Sequence, residues 1–157
     1  MTVDHNIEYK SSVIREKMLL HRFLGEVYTH FWNKGDCTLE VLFAEVDNAG
    51  YDLLLIHGDK PAYIQLKAVN KESKTSLFNV NKRLEDKPGG CVVLLEYTNN
   101  NLFYYYFKAE NLSQYKTAKH AKANSKGVKA EREGIVKVSK RKFQICGMDE
   151  LVNKLLI

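Results

Sequence analysis

The chain is 157 residues long, 45% apolar and 27% charged, with two prolines, nine glycines and three cysteines. That length holds one domain with a substantial core and is short for two, and the balance excludes intrinsic disorder, a Pro/Gly-rich or collagen-like segment and a disulfide-stapled miniature. The net charge of +5 is unevenly spread, because residues 108–142 hold 11 Lys/Arg against 3 Glu while the remainder holds 13 basic and 16 acidic residues.

The first ten residues, MTVDHNIEYK, contain no apolar stretch of the kind a signal peptide needs, and no later run approaches the roughly 20 apolar residues of a membrane-spanning helix. Cys37, Cys91 and Cys146 are odd in number, far apart and never paired as C-x-x-C, which predicts reduced thiols rather than disulfides or a zinc site. A cytoplasmic protein without membrane contact is therefore expected.

Residues 12–33 place Leu20, Leu24, Val27 and Phe31 at helical spacing, with Ser12 as N-cap and Gly35 as stop, and predict a long first helix. TLEVLFA (38–44), YDLLLI (51–56) and AYIQLKAV (62–69) are β-prone runs separated by turn-rich DNAG and HGDKP, which predicts a three-stranded antiparallel meander. In KTSLFNVNKRLEDKPGG, Leu77, Val80 and Leu84 keep helical spacing up to Pro88-Gly89-Gly90 and predict a second helix. CVVLLEY (91–97) and LFYYYFK (102–108) flank an Asn-rich turn, and the unbroken apolar character of the first predicts a central strand buried on both faces. GIVKVS and KFQIC read as late strands, and MDELVNKLLI as a closing helix with Leu151, Leu155 and Leu156 inward. The order implies an α/β (α+β) fold, a mixed sheet flanked by helices.

In the basic segment, Lys116, Lys119, Lys122, Lys126 and Lys129 recur every three or four residues and would form a stripe on a helix. Clustered cations favour a polyanion, because binding releases its condensed counterions. The same composition also suits a solvated face, or an acidic protein partner.

Candidate chemistry lies in the meander. Alternation along 62–69 sets Ile64, Leu66 and Ala68 on one face and Gln65 and Lys67 on the other, while Asp52 opens an otherwise apolar run where an uncompensated carboxylate would be costly to bury. A two-residue Gly58-Asp59 turn sets Asp52 opposite Gln65. A four-residue loop through Pro61 sets it opposite Lys67 and keeps proline out of the ladder. Either register puts all three side chains on one face. A carboxylate, an amide oxygen and the Leu66 carbonyl are hard ligands suited to Mg²⁺ or Mn²⁺. A neighbouring lysine can hold water or neutralise charge on a phosphate.

These residues, FLGEVYTHFWNKG, NAGYDLLL and YIQLKAV, resemble the PD-(D/E)XK nucleases, and within them the Mrr-type branch that carries Q-x-K. The resemblance covers about residues 12–97, and the C-terminal strand and Leu-rich helix are similar to the ending of related proteins. It implies a restriction-endonuclease-like core and metal-dependent hydrolysis of nucleic acid, DNA before RNA. It also makes Glu26 the helix acid, Asp52 the main metal ligand, Gln65 the second ligand and Lys67 the catalytic lysine. Tyr51 stands where the family usually has proline, and Gln65 removes one negative charge from the metal site, which implies weaker metal affinity. Two-strand cleavage is easier for paired symmetric sites, so a homodimer is the assembly to test.

Each residue also has a plainer role. Glu26 is spaced to pair with Arg22, Asp52 and Lys67 suit an ordinary cross-strand ion pair, and Gln65 is a common strand-surface residue. Glu45 and Asp47 fit a solvated turn better than a metal shell, the five histidines show no ligand spacing, and Tyr104-Tyr105-Tyr106 fit sheet packing better than base stacking. A non-catalytic nucleic-acid-binding or accessory protein on the same fold is the competing expectation.

Overall fold

The structure, a computed structural model, describes residues 11–46 and 48–157. Two compact units divide the chain at Cys37/Thr38. The first holds helix α1, Ser12–Asn33, whose Leu19, Phe23, Leu24, Val27 and Phe31 are buried at the three- and four-residue spacing that makes one helical face. Ser11, one residue before the expected Ser12, is the N-cap, and its carbonyl accepts from the Arg15 N–H at 2.9 Å. Gly35 closes the far end by donating its N–H to the Trp32 carbonyl at 2.9 Å.

The second unit carries β1 Glu40–Phe43, β2 Leu53–His57, β3 Lys60–Asn70, β4 Leu77–Asn81, β5 Cys91–Tyr97, β6 Leu102–Lys108, β7 Thr117–Ala123, β8 Lys129–Ser139, β9 Gln144–Cys146 and helix α2, Met148–Leu156. A six-stranded sheet runs β1-β2-β3-β5-β6-β9, antiparallel except for the parallel β3–β5 pair, and a three-stranded antiparallel sheet runs β4-β8-β7. This is the α+β architecture read from the sequence, meander included.

Strand β5 is buried from Cys91 through Glu96 because it has layers on both faces. Toward one, Val69, Val92, Leu94 and Phe107 pack with Phe78, Val80, Val136 and Val138 of the smaller sheet. On the other, α2 packs on β2, β3 and β6 and buries Leu151, Val152, Leu155 and Leu156. Each fully buried Leu or Val contributes roughly 1.5–3 kcal/mol of transfer free energy, so this double layering dominates the stability of the unit.

Two expectations are corrected. The second helix is absent: residues 77–81 form β4, followed by a 3-10 turn over Lys82–Asp86. Leu77, Val80 and Leu84 do recur at helical spacing, but the buried pair is Phe78 and Val80, a period of two, set opposite Val138 and Val136. Intervening asparagines favour caps and turns over helix interiors, and Asn81 caps the 3-10 turn by accepting from the Arg83 N–H. The lysine stripe also fails, because its segment is the β7–β8 hairpin rather than a helix. The apolar positions Ala118, Val136 and Val138 alone reach the core there, and once β8 pairs with β4 its second edge is met by β7. The late strand expected from GIVKVS is the C-terminal half of β8.

At the end of β5 a nearly buried acid is compensated locally. Glu96, 5% exposed, accepts from the Lys140 ammonium and from the Tyr105 hydroxyl at 3.2 Å. Lys140 also lies 4.8 Å from the Tyr105 ring centroid. Its pKa is raised by the hydrogen bond to Glu96, and burial, then the Glu96 charge, raises that of Tyr105. Tyr104 is buried in the sheet, so these aromatics serve packing, as expected.

Candidate active site

The register of β2 and β3 is that of the two-residue Gly58-Asp59 turn: His57 faces Lys60, Ile56 faces Pro61, and Leu53 faces Ile64. Pro61 is tolerated inside β3 because its ring nitrogen points away from β2, toward an edge that β5 joins only from Ile64 onward. On that side, the Gly89 backbone sits so close that an added Cβ would lie 2.3 Å from the Pro61 carbonyl oxygen, so the tight turn before β5 requires glycine.

Strand β3 outruns β2. Past Ile64, the N–H and C=O of Leu66 emerge on the edge that β2 has vacated, since alternate residues of a strand present both groups to the same side. Asp52 fills that gap, its carboxylate accepting the Leu66 N–H at 2.6 Å. Two backbone bonds hold the residue in place: its own N–H donates to the Ile64 carbonyl at 2.8 Å, and its carbonyl accepts from Ala44 N–H at 3.0 Å. The carboxylate is thus fixed beside the Leu66 peptide while staying exposed.

Gln65 and Lys67 are half-buried on the face of β3 that also carries Tyr63 and Val69. Gln65 Oε1 accepts from the backbone N–H of Asn81, at the end of β4, at 3.3 Å. Asn81 also presses on the approach to Asp52: Gly50 is buried at φ +84°, and a Cβ there would lie 2.8 Å from the Asn81 Cγ. Arg83 ties the same turn down by donating from Nη1 to the Asn48 carbonyl at 2.6 Å. Tyr51 meets Tyr63 edge-on at 4.8 Å, and the Lys87 ammonium lies 5.8 and 5.6 Å from their ring centroids.

Asp52, Leu66, Gln65 and Lys67 therefore gather where β2, β3 and the end of β4 meet, with Asn81, Arg83 and Lys87 around them. Sequence reading missed these last three, because it placed their segment in a helix. The run of lysines and arginine in NKRLEDK, beside a turn, was the available signal.

Glu26 is an exposed residue of α1, in the first unit. Glu45 is exposed in the loop after β1, and Asp47 and the first ten residues lie outside the described residues. Lys116, Lys119, Lys122, Lys126 and Lys129 are all exposed, on or beside the β7–β8 hairpin.

The donor set decides what cation would fit. Among the described residues no group of three or more His, Cys, Asp and Glu is placed to hold a metal ion. What the site offers is one carboxylate, the adjacent Leu66 carbonyl, and an amide oxygen already engaged by one N–H. This suits Mg²⁺ or Mn²⁺ keeping most of its water and taking its remaining ligands from a phosphate, and does not suit zinc or a fully caged calcium.

No family model and no curated protein matches the chain. Among solved structures it is similar to Hjc, a Holliday junction resolvase from Archaeoglobus fulgidus, with a TM-score of 0.44 and 10% identity over 85% of this chain and 94% of that one. It is also similar to I-Ssp6803I, a bacterial homing endonuclease, with a TM-score of 0.35 and 20% identity over 69% of this chain and 82% of that one.

Proposed function

We propose that this chain is a metal-dependent nuclease that hydrolyses phosphodiester bonds in nucleic acid, DNA before RNA. The observation that carries the reading is the Asp52 carboxylate locked at 2.6 Å onto the Leu66 N–H, next to the residues Gln65 and Lys67. A strand edge left open by its neighbour is capped by an acid, which sets an exposed carboxylate beside the Leu66 peptide.

Asp52, the Leu66 carbonyl and Gln65 would hold Mg²⁺ or Mn²⁺, which when bound supplies an activated water and neutralises phosphate charge. Three hydrogen bonds fix Asp52, so its position is set before substrate arrives and no reorganisation is needed at the moment of reaction. Lys67, on the same face of β3 as Gln65, would supply positive charge to a phosphate that gains negative charge during hydrolysis. The Asn81 N–H fixes which way the Gln65 amide lies, with its oxygen toward Asn81.

The test is relaxation and linearisation of supercoiled plasmid with Mg²⁺ or Mn²⁺. Asp52→Asn keeps an acceptor for the Leu66 N–H but removes the charge, and Lys67→Ala removes the cation. Each is expected to lower the rate about 100-fold or more, with an unchanged far-UV spectrum. Full activity in either variant would contradict the assigned roles.

A second reading has its own observation. Gln65 Oε1 is engaged by Asn81, and among the described residues no group of three or more His, Cys, Asp and Glu stands together, which suits a non-catalytic nucleic-acid-binding protein on the same fold. Calorimetric titration with Mn²⁺ separates the two: uptake by the wild type that is lost in Asp52→Asn supports the nuclease, and DNA binding with neither uptake nor cleavage supports the accessory protein.

A further inference from the structure

Helix α1 is apolar on two sides. Leu19, Phe23, Leu24, Val27 and Phe31 are buried, yet Ile14, Met18, Tyr28 and Trp32, on the other side, are 73%, 49%, 49% and 74% exposed. With the exposed His21 and Gly25 between them they occupy positions 14, 18, 21, 25, 28 and 32. At 3.6 residues per turn these six fall within an arc of about 80° and run about 27 Å along the helix. Alternating steps of four and three residues are the seam of a two-helix coiled coil, and a contiguous exposed apolar patch marks a contact surface.

The spacing also decides what fits the seam. Its steps, 4-3-4-3-4, read the same from either end, so a second α1 laid antiparallel meets this face in register, as a two-fold axis requires. Ile14 of one copy then faces Trp32 of the other, Met18 faces Tyr28, and His21 faces Gly25. A thioether against an aromatic ring is a favourable contact, and the imidazole is received at Gly25, where an added Cβ would have no atom within 4 Å. Beside the seam, the half-buried Arg22 of each copy comes next to the exposed Glu26 of the other, two reciprocal pairs of opposite charge. A parallel pair would instead set Lys17 against Arg22, like charges, and leave the two Gly25 residues facing each other across a gap. At roughly 200 Å² for a large side chain, the exposed parts of the four apolar residues come to about 500 Å² per copy and about 1,000 Å² per pair, which reaches the size of a specific interface.

We propose that this face of α1 is a self-association surface, on which two copies of the chain pair through antiparallel α1 helices. Pairing of this kind needs neither nucleic acid nor metal, so it stands apart from the hydrolytic reading.

Light scattering after gel filtration of the full chain, from about 1 to 100 μM, reads the mass against the 18.1 kDa of one copy. The wild type is expected at twice that mass. Ile14→Glu and Trp32→Glu, each with an unchanged far-UV spectrum, are expected at the mass of one copy. Val13→Glu is the control: Val13 is 65% exposed and adjacent to Ile14, but lies about 100° round the helix from it, and this variant should stay dimeric. Arg22→Glu should weaken association about tenfold or more by setting like charges together, and adding Glu26→Arg, which returns the net charge to that of the wild type, should restore it. A monomeric wild type at 100 μM would overturn the proposal. So would seam variants that remain dimeric, or a Val13→Glu protein that dissociates as they do. Failure of the charge swap to recover what Arg22→Glu loses would overturn the antiparallel arrangement itself.

Discussion

Gly50→Ala tests the join between the two halves of the candidate site. Gly50 is buried with φ +84°, and an added Cβ would stand 2.8 Å from Cγ and 2.9 Å from Cβ of Asn81. Holding an L-residue in the left-handed region costs about 1–2 kcal/mol, and forcing a methyl into a filled space costs about 1–3 kcal/mol. Together that is about 2–5 kcal/mol, a large part of a typical domain's stability. The two contributions separate in a double-mutant cycle. Asn81→Gly removes both contacted atoms, so Gly50→Ala in that background should cost only the backbone part, with an interaction energy of about 1–3 kcal/mol. Urea unfolding followed by circular dichroism measures all four proteins. An equal cost in both backgrounds, or less than about 0.5 kcal/mol in the wild type, would refute the proposed contact. Since Asp52 is two residues away and Asn81 holds Gln65, Gly50→Ala protein that remains folded should also lose plasmid cleavage.

Two further expectations concern the charge buried at the end of β5 and the alkaline limit. Lys140→Met leaves the Glu96 carboxylate with the hydrogen bond from the Tyr105 hydroxyl but without its cation; breaking a buried pair costs about 3–5 kcal/mol, and because the Lys140 side chain is 32% exposed and partly screened, about 1–3 kcal/mol is expected in urea unfolding. Adding Glu96→Gln should restore part of that loss, and a cost below about 0.5 kcal/mol for Lys140→Met alone would count against the pair. The second expectation follows from groups that hold protons more tightly when folded: burial raises the Cys91 thiol above its ordinary 9.0 and Tyr105 above 10.0, and the bond to Glu96 raises Lys140 above 10.5. A raised folded pKa contributes stability that is complete below the unfolded value and is lost as pH climbs through the folded one. The urea midpoint should therefore begin to fall as pH passes about 9, and fall further above 10. A midpoint that rises over the same interval would be inconsistent with these shifts.

How much was legible depended on whether local pattern and tertiary environment agreed. Helix α1 and strands β5 and β6 were read with their observed bounds, because Leu24, Val27 and Phe31 repeat at helical spacing and Cys91–Leu95 is apolar throughout, and burial follows those patterns directly. The even-length turn was legible too, and of the two loop lengths that strand alternation allowed, the two-residue Gly58-Asp59 turn is the one found. The helix expected over residues 74–90 failed where two periods overlapped: Leu77, Val80 and Leu84 satisfy one, Phe78 and Val80 the other, and the edge of β8 selected the second. Lysine spacing misled for the same reason. A separation of three or four residues lines up on a helix and scatters across the two faces of a hairpin.

From the sequence alone come the α+β class, the meander, the buried central strand and the pairing of an acid with Gln-x-Lys, all of which depend on neighbours within one or two elements. Tertiary structure decided that β3 would outrun β2 and leave Leu66 for Asp52 to cap. It also decided that Asn81 would reach Gln65 from another sheet, and that the basic segment would fold back as the β7–β8 hairpin rather than run as a helix. Strand ends, cross-sheet contacts and bulges depend on which edges remain open after the rest has packed, and a linear pattern carries no record of those edges.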